Sequence, residues 1–330
     1  MGNSDVSPQS HRYRLIVWYL GTNFHGSQLQ PHLRTVEGEI ISALRQAGYI
    51  PRPIAANKRE NERNSRSDSS SSAEMGFFRA GMRTDRGVHA REHAFCFTTS
   101  KPLYPSLIAA KLPSDIGLVR YGEVSLTFQP RWECRWKEYR YFYPLSKEIL
   151  TILDISSIQE GLNILQGTHD FRMFSKTDRT RRDKLSDLTI DSASLLHDEQ
   201  GLIFIFRSQA FSWEQIRRTV YFLIHMGLHQ FSLVDLRERI QSDAIANKLL
   251  RKTPAFPAEG LILWHVDYPE SVVFTSFVIR IHPQEKYLLH SQVVHLQNAH
   301  SAHQIHQSLF SDLDPNIGKK TNPKNHSKDQ

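Results

Sequence analysis

Two rhythms of apolar and polar residues run along this chain. Arg12 to Tyr19 is rich in Leu, Ile, Val, Trp and Tyr, which predicts a buried strand. A polar loop with two glycines follows over Gly21 to Gln30. Thr35 then stands where an N-cap belongs. Val36, Ile40, Ala43, Leu44 and Ala47 recur at helical spacing, and Gly48 marks a C-terminal stop. The first unit is strand, loop, helix.

The rhythm fails over residues 56–75. Asn64 to Ser72 holds six serines in nine residues and no apolar side chain. Such a segment cannot bury enough surface to offset its ordering entropy, so it reads as a disordered surface insertion. Beyond it, Phe77-Phe78 and Phe95-Cys96-Phe97 read as strands around a polar loop. A short helix over Leu103 to Leu112 and strands over Val119 to Phe128 and Glu138 to Tyr143 come next. Ser156 or Ser157 offers a capping box with Gln159 or Glu160, opening a helix whose apolar face is Ile158, Leu162 and Leu165. Gly201 to Arg207 reads as a strand. Ser212 with Gln215 opens a helix on Ile216, Val220, Leu223 and Ile224, with Gly227 near its end. Leu261 to Val266 is a further strand. Strands and helices mix without strict alternation, so the expected class is α+β with a largely antiparallel sheet. Val272 to Ile281 and Tyr287 to Leu296 are apolar enough to add structure, and from Asp314 the chain is polar and frayed.

Composition narrows the function classes. The 330 residues are 39% hydrophobic and 23% charged, ordinary for a globular chain. A net charge of +7 favours a polyanionic partner. Cys96 and Cys134 cannot make a disulfide framework; both sit beside aromatic residues and read as small core hydrophobes in a reducing compartment. Met1 to Ser10 lacks a signal-peptide core and no apolar run reaches membrane length, so a cytoplasmic protein without membrane contact is expected. No phosphate-binding glycine loop, dinucleotide fingerprint or Cys-x-x-Cys is present. His300, His303 and His306 have no completing ligand and read as surface histidines, so neither a metal nor a cofactor is expected.

The chemistry concentrates in Arg83-Thr84-Asp85-Arg86-Gly87-Val88-His89-Ala90. One carboxylate stands between two arginines at a strand-to-loop junction. Nearby cations favour its ionised form, and Gly87 permits a sharp turn. A nucleophile, a general base and a structural ion pair all remain open for Asp85. Arg131 to Tyr143 interleaves Arg131, Arg135, Lys137 and Arg140 with six aromatic residues. That suits phosphate contact with base stacking. It equally suits a strand with an aromatic core face and a solvated basic face, the commoner case. Arg172 to Lys184 carries six basic residues, among them Arg179, Arg181 and Arg182. It reads as a loop open to solvent or to a nucleic-acid backbone. Arg217 and Arg218 lie one turn into an otherwise apolar helix, where a buried cation needs a partner. Asp85 is the candidate on charge grounds.

Taken together, these residues resemble the TruA family of tRNA pseudouridine synthases, in an archaeal or eukaryotic-like form. Tyr19-Leu20-Gly21-Thr22-Asn23-Phe24-His25-Gly26-Ser27-Gln28 is similar to that family's opening motif, with Leu20 replacing an acid and Ser27 a tryptophan. Residues 83–90 resemble its catalytic motif, with Arg86 in place of the alanine common in bacterial members. Lys137-Glu138-Tyr139-Arg140-Tyr141, Gly167-Thr168-His169-Asp170-Phe171, Phe211 to Val220, and Pro257-Ala258-Glu259-Gly260-Leu261 with Val266-Asp267-Tyr268 complete six motifs in the family's order. The resemblance implies two α/β domains, residues 12–130 and 131–269, sharing a mostly antiparallel sheet with a basic RNA-binding cleft between them. A flexible N-terminus (1–11) and a C-terminal extension (270–330) would flank them. It implies isomerisation of uridine to pseudouridine in tRNA, usually in the anticodon stem-loop around positions 38–40, without cofactor or metal and in a homodimer, as relatives often are. By position, Asp85 would be the nucleophile, Arg217 its partner, and Tyr139 the ring against the target base. Arg83 would hold the extruded nucleotide, and Arg86, Arg135, Lys137, Arg140, Arg179, Arg181 and Arg182 would contact RNA. A non-catalytic tRNA-binding protein of the same fold is the alternative.

Overall fold

The computed structural model describes residues 10–51, 78–145, 147–176, 187–198, 201–241, 252–269 and 275–276. The serine-rich stretch, Arg179, Arg181, Arg182, the three C-terminal histidines and the apolar run over Tyr287 to Leu296 lie outside the described residues.

Strand β1 (His11–Tyr19) buries both faces, as its continuous apolar run requires. It leads to α1 (Val36–Gln46), where Thr35 Oγ1 accepts the Gly38 N–H at 3.2 Å. The helix buries Val36, Ile40, Ala43 and Leu44 against the sheet. There follow β2 (Phe78–Ala80), β3 (His89–Thr99), α2 (Pro105–Ala109), β4 (Ile116–Val124), β5 (Trp136–Pro144), α3 (Lys147–Ile152) and α4 (Ile155–Leu165). The C-terminal half adds β6 (Gly167–Asp170), β7 (Asp187–Ile190), β8 (Ser192–Asp198), β9 (Gly201–Ser208), α5 (Gln215–Gly227), α6 (Leu233–Arg239), β10 (Leu261–Asp267) and β11 (Thr275–Ser276).

Among the described residues, nine strands form one sheet in the order β11-β4-β1-β3-β10-β5-β9-β8, with β2 beside β3. Every pairing is antiparallel except β3 with β10, where Ile262 faces His89 and Leu263 faces Ala90. That short parallel seam joins the two halves of the sheet. The expected α+β class with a mostly antiparallel sheet is observed.

Details of capping differ from expectation. The N-cap of α4 is Asp154, whose carboxylate accepts the Ser157 N–H at 3.0 Å, rather than Ser156 or Ser157. A carboxylate at a helix N-terminus also interacts favourably with the helix dipole. The β6–β8 strands and α6 carry no strong apolar period and were not expected from the pattern. Alternation along β5 sorts its side chains cleanly. Tyr139, Tyr141 and Tyr143 enter the core under α5, where Tyr143 stacks on Phe256 at 5.0 Å. Glu138, Arg140 and Phe142 point to the opposite face.

Candidate active site

Asp85 sits in the loop that feeds β3, at the seam between the sheet halves. Residues 85–88 form a turn closed by Val88 N–H to Asp85 O at 3.2 Å. Gly87 takes φ +85°, a conformation that L side chains rarely adopt, and a Cβ there would meet Glu259 Oε1 at 2.9 Å. The glycine is fixed by a sharp turn and by close packing at once.

A buried polar network holds this loop from below. Ser27, wholly buried, bonds it twice: its N–H donates to Thr84 O at 3.1 Å, and its hydroxyl accepts the Thr84 N–H at 2.9 Å. His93 Nε2–H donates to Met82 O at 3.0 Å, which leaves its Nδ1 to accept from Tyr19 OH at 3.0 Å. Tyr19 OH in turn accepts from Thr84 Oγ1 at 2.7 Å. On the far side of the turn, His89 Nδ1 accepts the Gly21 N–H at 3.0 Å, and its other nitrogen donates to the Glu259 backbone. The opening motif is therefore a clamp on the Asp85 loop. Ser27 is part of that clamp and is wholly buried. Truncating it to alanine leaves the Thr84 N–H buried without this acceptor, so Ser27→Ala should lower the unfolding free energy by about 1–3 kcal/mol. Urea denaturation reads that loss.

Burial holds both histidines neutral, with His89 lowered to about 4 and His93 to about 3. The unfolded chain takes up these protons near pH 6.5 and the folded chain only far below it. Stability must then fall as pH drops from 6.5, by about 2 kcal/mol per histidine on reaching pH 4.5. The urea midpoint followed over that range should show it, and His93→Gln should flatten the slope.

Opposite the loop, the start of α5 presents Arg217. Its Nη1 lies 3.4 Å from Asp85 Oδ2, and its Nε donates to Phe256 O at 2.7 Å. Phe256 N–H donates back to Arg217 O at 3.3 Å. The segment 256–260 thus touches both halves of the site: Phe256 aims Arg217, and Glu259 abuts the Gly87 turn and His89. Glu214 lies 3.9 Å from Arg217 Nη1 and pairs with Arg218 Nη2 at 2.5 Å and Lys176 Nζ at 3.3 Å. It holds φ +63°, an uncommon conformation for a non-glycine residue that these ion pairs help to retain.

The Asp85 carboxyl is pushed above its ordinary range, chiefly by burial. Arg217 opposes that shift by its charge and hydrogen bond, and Glu214 adds to it. The expectation that flanking arginines keep the acid ionised needs correction. Arg83 and Arg86 are both exposed, and the charge of Arg83 acts on Glu37. Adjacent residues on a tight loop point apart, so the counter-cation comes from 132 positions away in sequence.

Tyr139 is buried, its ring edge-on to Phe211 at 5.4 Å, and both burial and the Asp85 charge keep its hydroxyl protonated. Asp85, Arg217 and Tyr139 are therefore assembled in one place. The basic residues of β5 are not. Lys137 shares the Tyr139 face and is half-buried, with its pKa lowered by desolvation. Arg140 is on the opposite face, bonded to Glu138 at 2.8 Å and 4.1 Å over the Trp264 ring, away from Asp85. Arg135 pairs with Asp267 at 2.6 Å at the strand's start. Strand alternation separates residues that look contiguous in sequence. Gly167-Thr168-His169-Asp170-Phe171 is structural: Asp170 is buried against Arg172, and Phe171 packs edge-on to Phe174. The sequence pattern did not single out His93, Phe256, Trp213 or Glu214, and it marked Ser27 only as a departure from the opening motif. Trp213 and Glu214 lie just before the helix that carries Arg217, but nothing in periodicity marks them.

A family model described as tRNA pseudouridine synthase matches residues 162–269. Among curated proteins, the chain is similar to tRNA pseudouridine synthase A of Pyrococcus abyssi, at 33% identity over 76% of this chain and 82% of that protein. It is similar to the protein of the same name from Methanosarcina barkeri, at 33% identity over 79% and 86% respectively. The one from Methanosphaerula palustris is 33% identical over 76% and 77%.

Proposed function

Because this chain belongs to the tRNA pseudouridine synthase family and acts as an isomerase on tRNA uridine, we propose that Asp85 is the nucleophile of its reaction. The observation that carries this reading is the half-buried carboxylate set against Arg217 and beside Tyr139, at the seam of the sheet. Isomerisation breaks the bond from ribose C1′ to base N1 and makes one from C1′ to C5. The C5 proton leaves and N1 gains one, so no oxidant or reductant enters. The work left to the protein is to open the first bond, retain the freed uracil and let it turn.

A carboxylate suits the first task when ionised. Arg217 favours that form and fixes its direction, because Phe256 O holds the other edge of the guanidinium. Tyr139 supplies a protonated, apolar ring against which the base can turn. A uridine within a stem must leave the stack to reach Asp85. Arg83, exposed two residues before the acid, is placed to hold the displaced strand, and Arg86 to meet phosphate. Arg135, Lys137, Arg179, Arg181 and Arg182 extend the proposed RNA contacts; Arg140 does not face this site. We place the target uridines in the anticodon stem-loop, around positions 38–40, and the chain in a homodimer, in accord with the family resemblance.

Tritium release from tRNA labelled at uridine C5 tests the activity. Release with unmodified tRNA is expected, and none across total unmodified tRNA would overturn it. Binding led by phosphate contacts should weaken about tenfold or more between 50 and 200 mM salt if three or more phosphates are engaged. A filter-binding titration measures this.

A further inference from the structure

Glu214 is a charged side chain at the proposed catalytic pair that no step above uses. It stands immediately before α5, so helical spacing sets Arg217 and Arg218, three and four residues on, over its carboxylate. Arg217 Nη1 lies 3.9 Å from Glu214 Oε1 and 3.4 Å from Asp85 Oδ2, so two carboxylates draw on one nitrogen. Neither contact is as short as an ordinary arginine–carboxylate hydrogen bond, about 2.7–2.9 Å. The Arg218 fork, by contrast, closes on Glu214 Oε2 with Nη2 at 2.5 Å and Nε at 3.1 Å. Lys176 Nζ approaches Glu214 Oε1 at 3.3 Å. The Glu214 and Arg217 side chains are 12% and 14% exposed, so little water screens them from each other. Burial works against the Glu214 charge. The hydrogen bond and charge of Arg218, with the charges of Arg217 and Lys176, outweigh it and hold the carboxyl below its ordinary range. Glu214 is therefore an ionised neighbour of the site at neutral pH.

We propose that Glu214 is a positioning residue acting through Arg217: by taking a share of Nη1 it keeps the guanidinium from closing on Asp85, and so leaves the reacting carboxylate oriented but loosely held. The inference rests on Asp85 being the reacting acid. A carboxylate in a short two-pronged pair has its lone pairs committed to N–H donors. One held by a single long contact keeps them for attack. The direction of Arg217 does not depend on Glu214, because Phe256 O fixes its Nε. The other titratable groups around Asp85 are Tyr139 from β5, Arg83 and Arg86 on its own loop, and Glu259, whose Oε1 lies against Gly87. Arg218 and Lys176 face Glu214. Removing the Glu214 charge frees Arg217, Arg218 and Lys176 at once, and each freed cation favours the Asp85 carboxylate.

Glu214→Gln keeps the shape of the side chain and removes its charge. The acidic limb of its kcat–pH profile should move to lower pH by roughly 0.5–1.5 pH units, the scale for a like charge about 7 Å away. Its plateau kcat should fall about twofold to fivefold, because a less basic nucleophile attacks more slowly, here on the slope of about 0.4–0.5 known for thiolates. Glu214→Asn suits the left-handed backbone at this position and should move the limb the same way, which keeps the test open if glutamine disturbs the turn. A limb that stays in place while kcat falls by one factor at every pH marks a structural role alone and overturns the proposal. So does a limb that moves down while the plateau holds or rises. Titration of the Asp85 carboxyl by 13C NMR in wild type and Glu214→Gln, assigned with Asp85→Asn, reads the same displacement without turnover. If Asp85→Asn retains activity, the nucleophile assignment falls and the role of Glu214 in the reaction falls with it; the titration then still decides whether the two carboxylates compete for Arg217.

Discussion

Asp85→Asn should abolish tritium release from C5-labelled tRNA, lowering kcat by about 10⁴-fold or more, the scale set when a nucleophile is removed. It should do so without unfolding the protein, and the melting temperature at pH 7 should rise. The sign follows from burial. The carboxyl of the folded chain sits above its unfolded value, so its contribution to stability is present at low pH and is lost as pH rises through its folded value. At neutral pH the charge is therefore a net cost, and a neutral isostere removes it. Calorimetry on both proteins at pH 7 and at pH 3 tests this: the gap should close in acid, where both side chains are neutral. A variant with residual turnover near that of wild type would remove Asp85 from the chemistry. One that is inactive and strongly destabilised would instead make it a structural ion pair.

Arg217→Met should lower kcat by about 10²–10³-fold, the usual scale for removing one preorganised charge at a reacting centre. Arg217 is the largest influence favouring the Asp85 carboxylate, and its loss leaves burial and Glu214 to push the carboxyl further up. The acidic limb of the rate profile should therefore shift to higher pH, and part of the loss should be regained in mildly alkaline buffer. Arg217→Lys retains charge but cannot reach Asp85 and Phe256 O together as a planar fork does. It should fall between the two. Rate profiles of the three proteins against pH, with tRNA affinity measured alongside, separate this electrostatic effect from a loss of binding.

Strands and helices with strong apolar periodicity were legible in the chain before any contact was known. The run from Arg12 to Tyr19, the capped helix after Thr35, and the apolar faces of α4 and α5 all stand where their patterns put them. The reason is that one-face burial leaves a local imprint. The order of the nine strands, and the parallel β3–β10 seam in particular, left none. Neither did the β6–β8 strands, whose short segments are held by partners more than by their own composition.

The site divides the same way. The sequence by itself determined that one acid, two arginines and a tyrosine of the right types were present, and the ordered motifs implied what they do. It could not determine which cation serves Asp85. The nearest in sequence, Arg83 and Arg86, turn outward, while Arg217 arrives from α5 under the guidance of Phe256 O. Nor could it show that Ser27, Tyr19 and His93 clamp the loop, that Arg140 faces away, or that Glu214 shares Arg217 with the acid. Those facts depend on strand alternation and on contacts between residues distant along the chain. Charge acts through space, and only the folded chain decides which charges are neighbours.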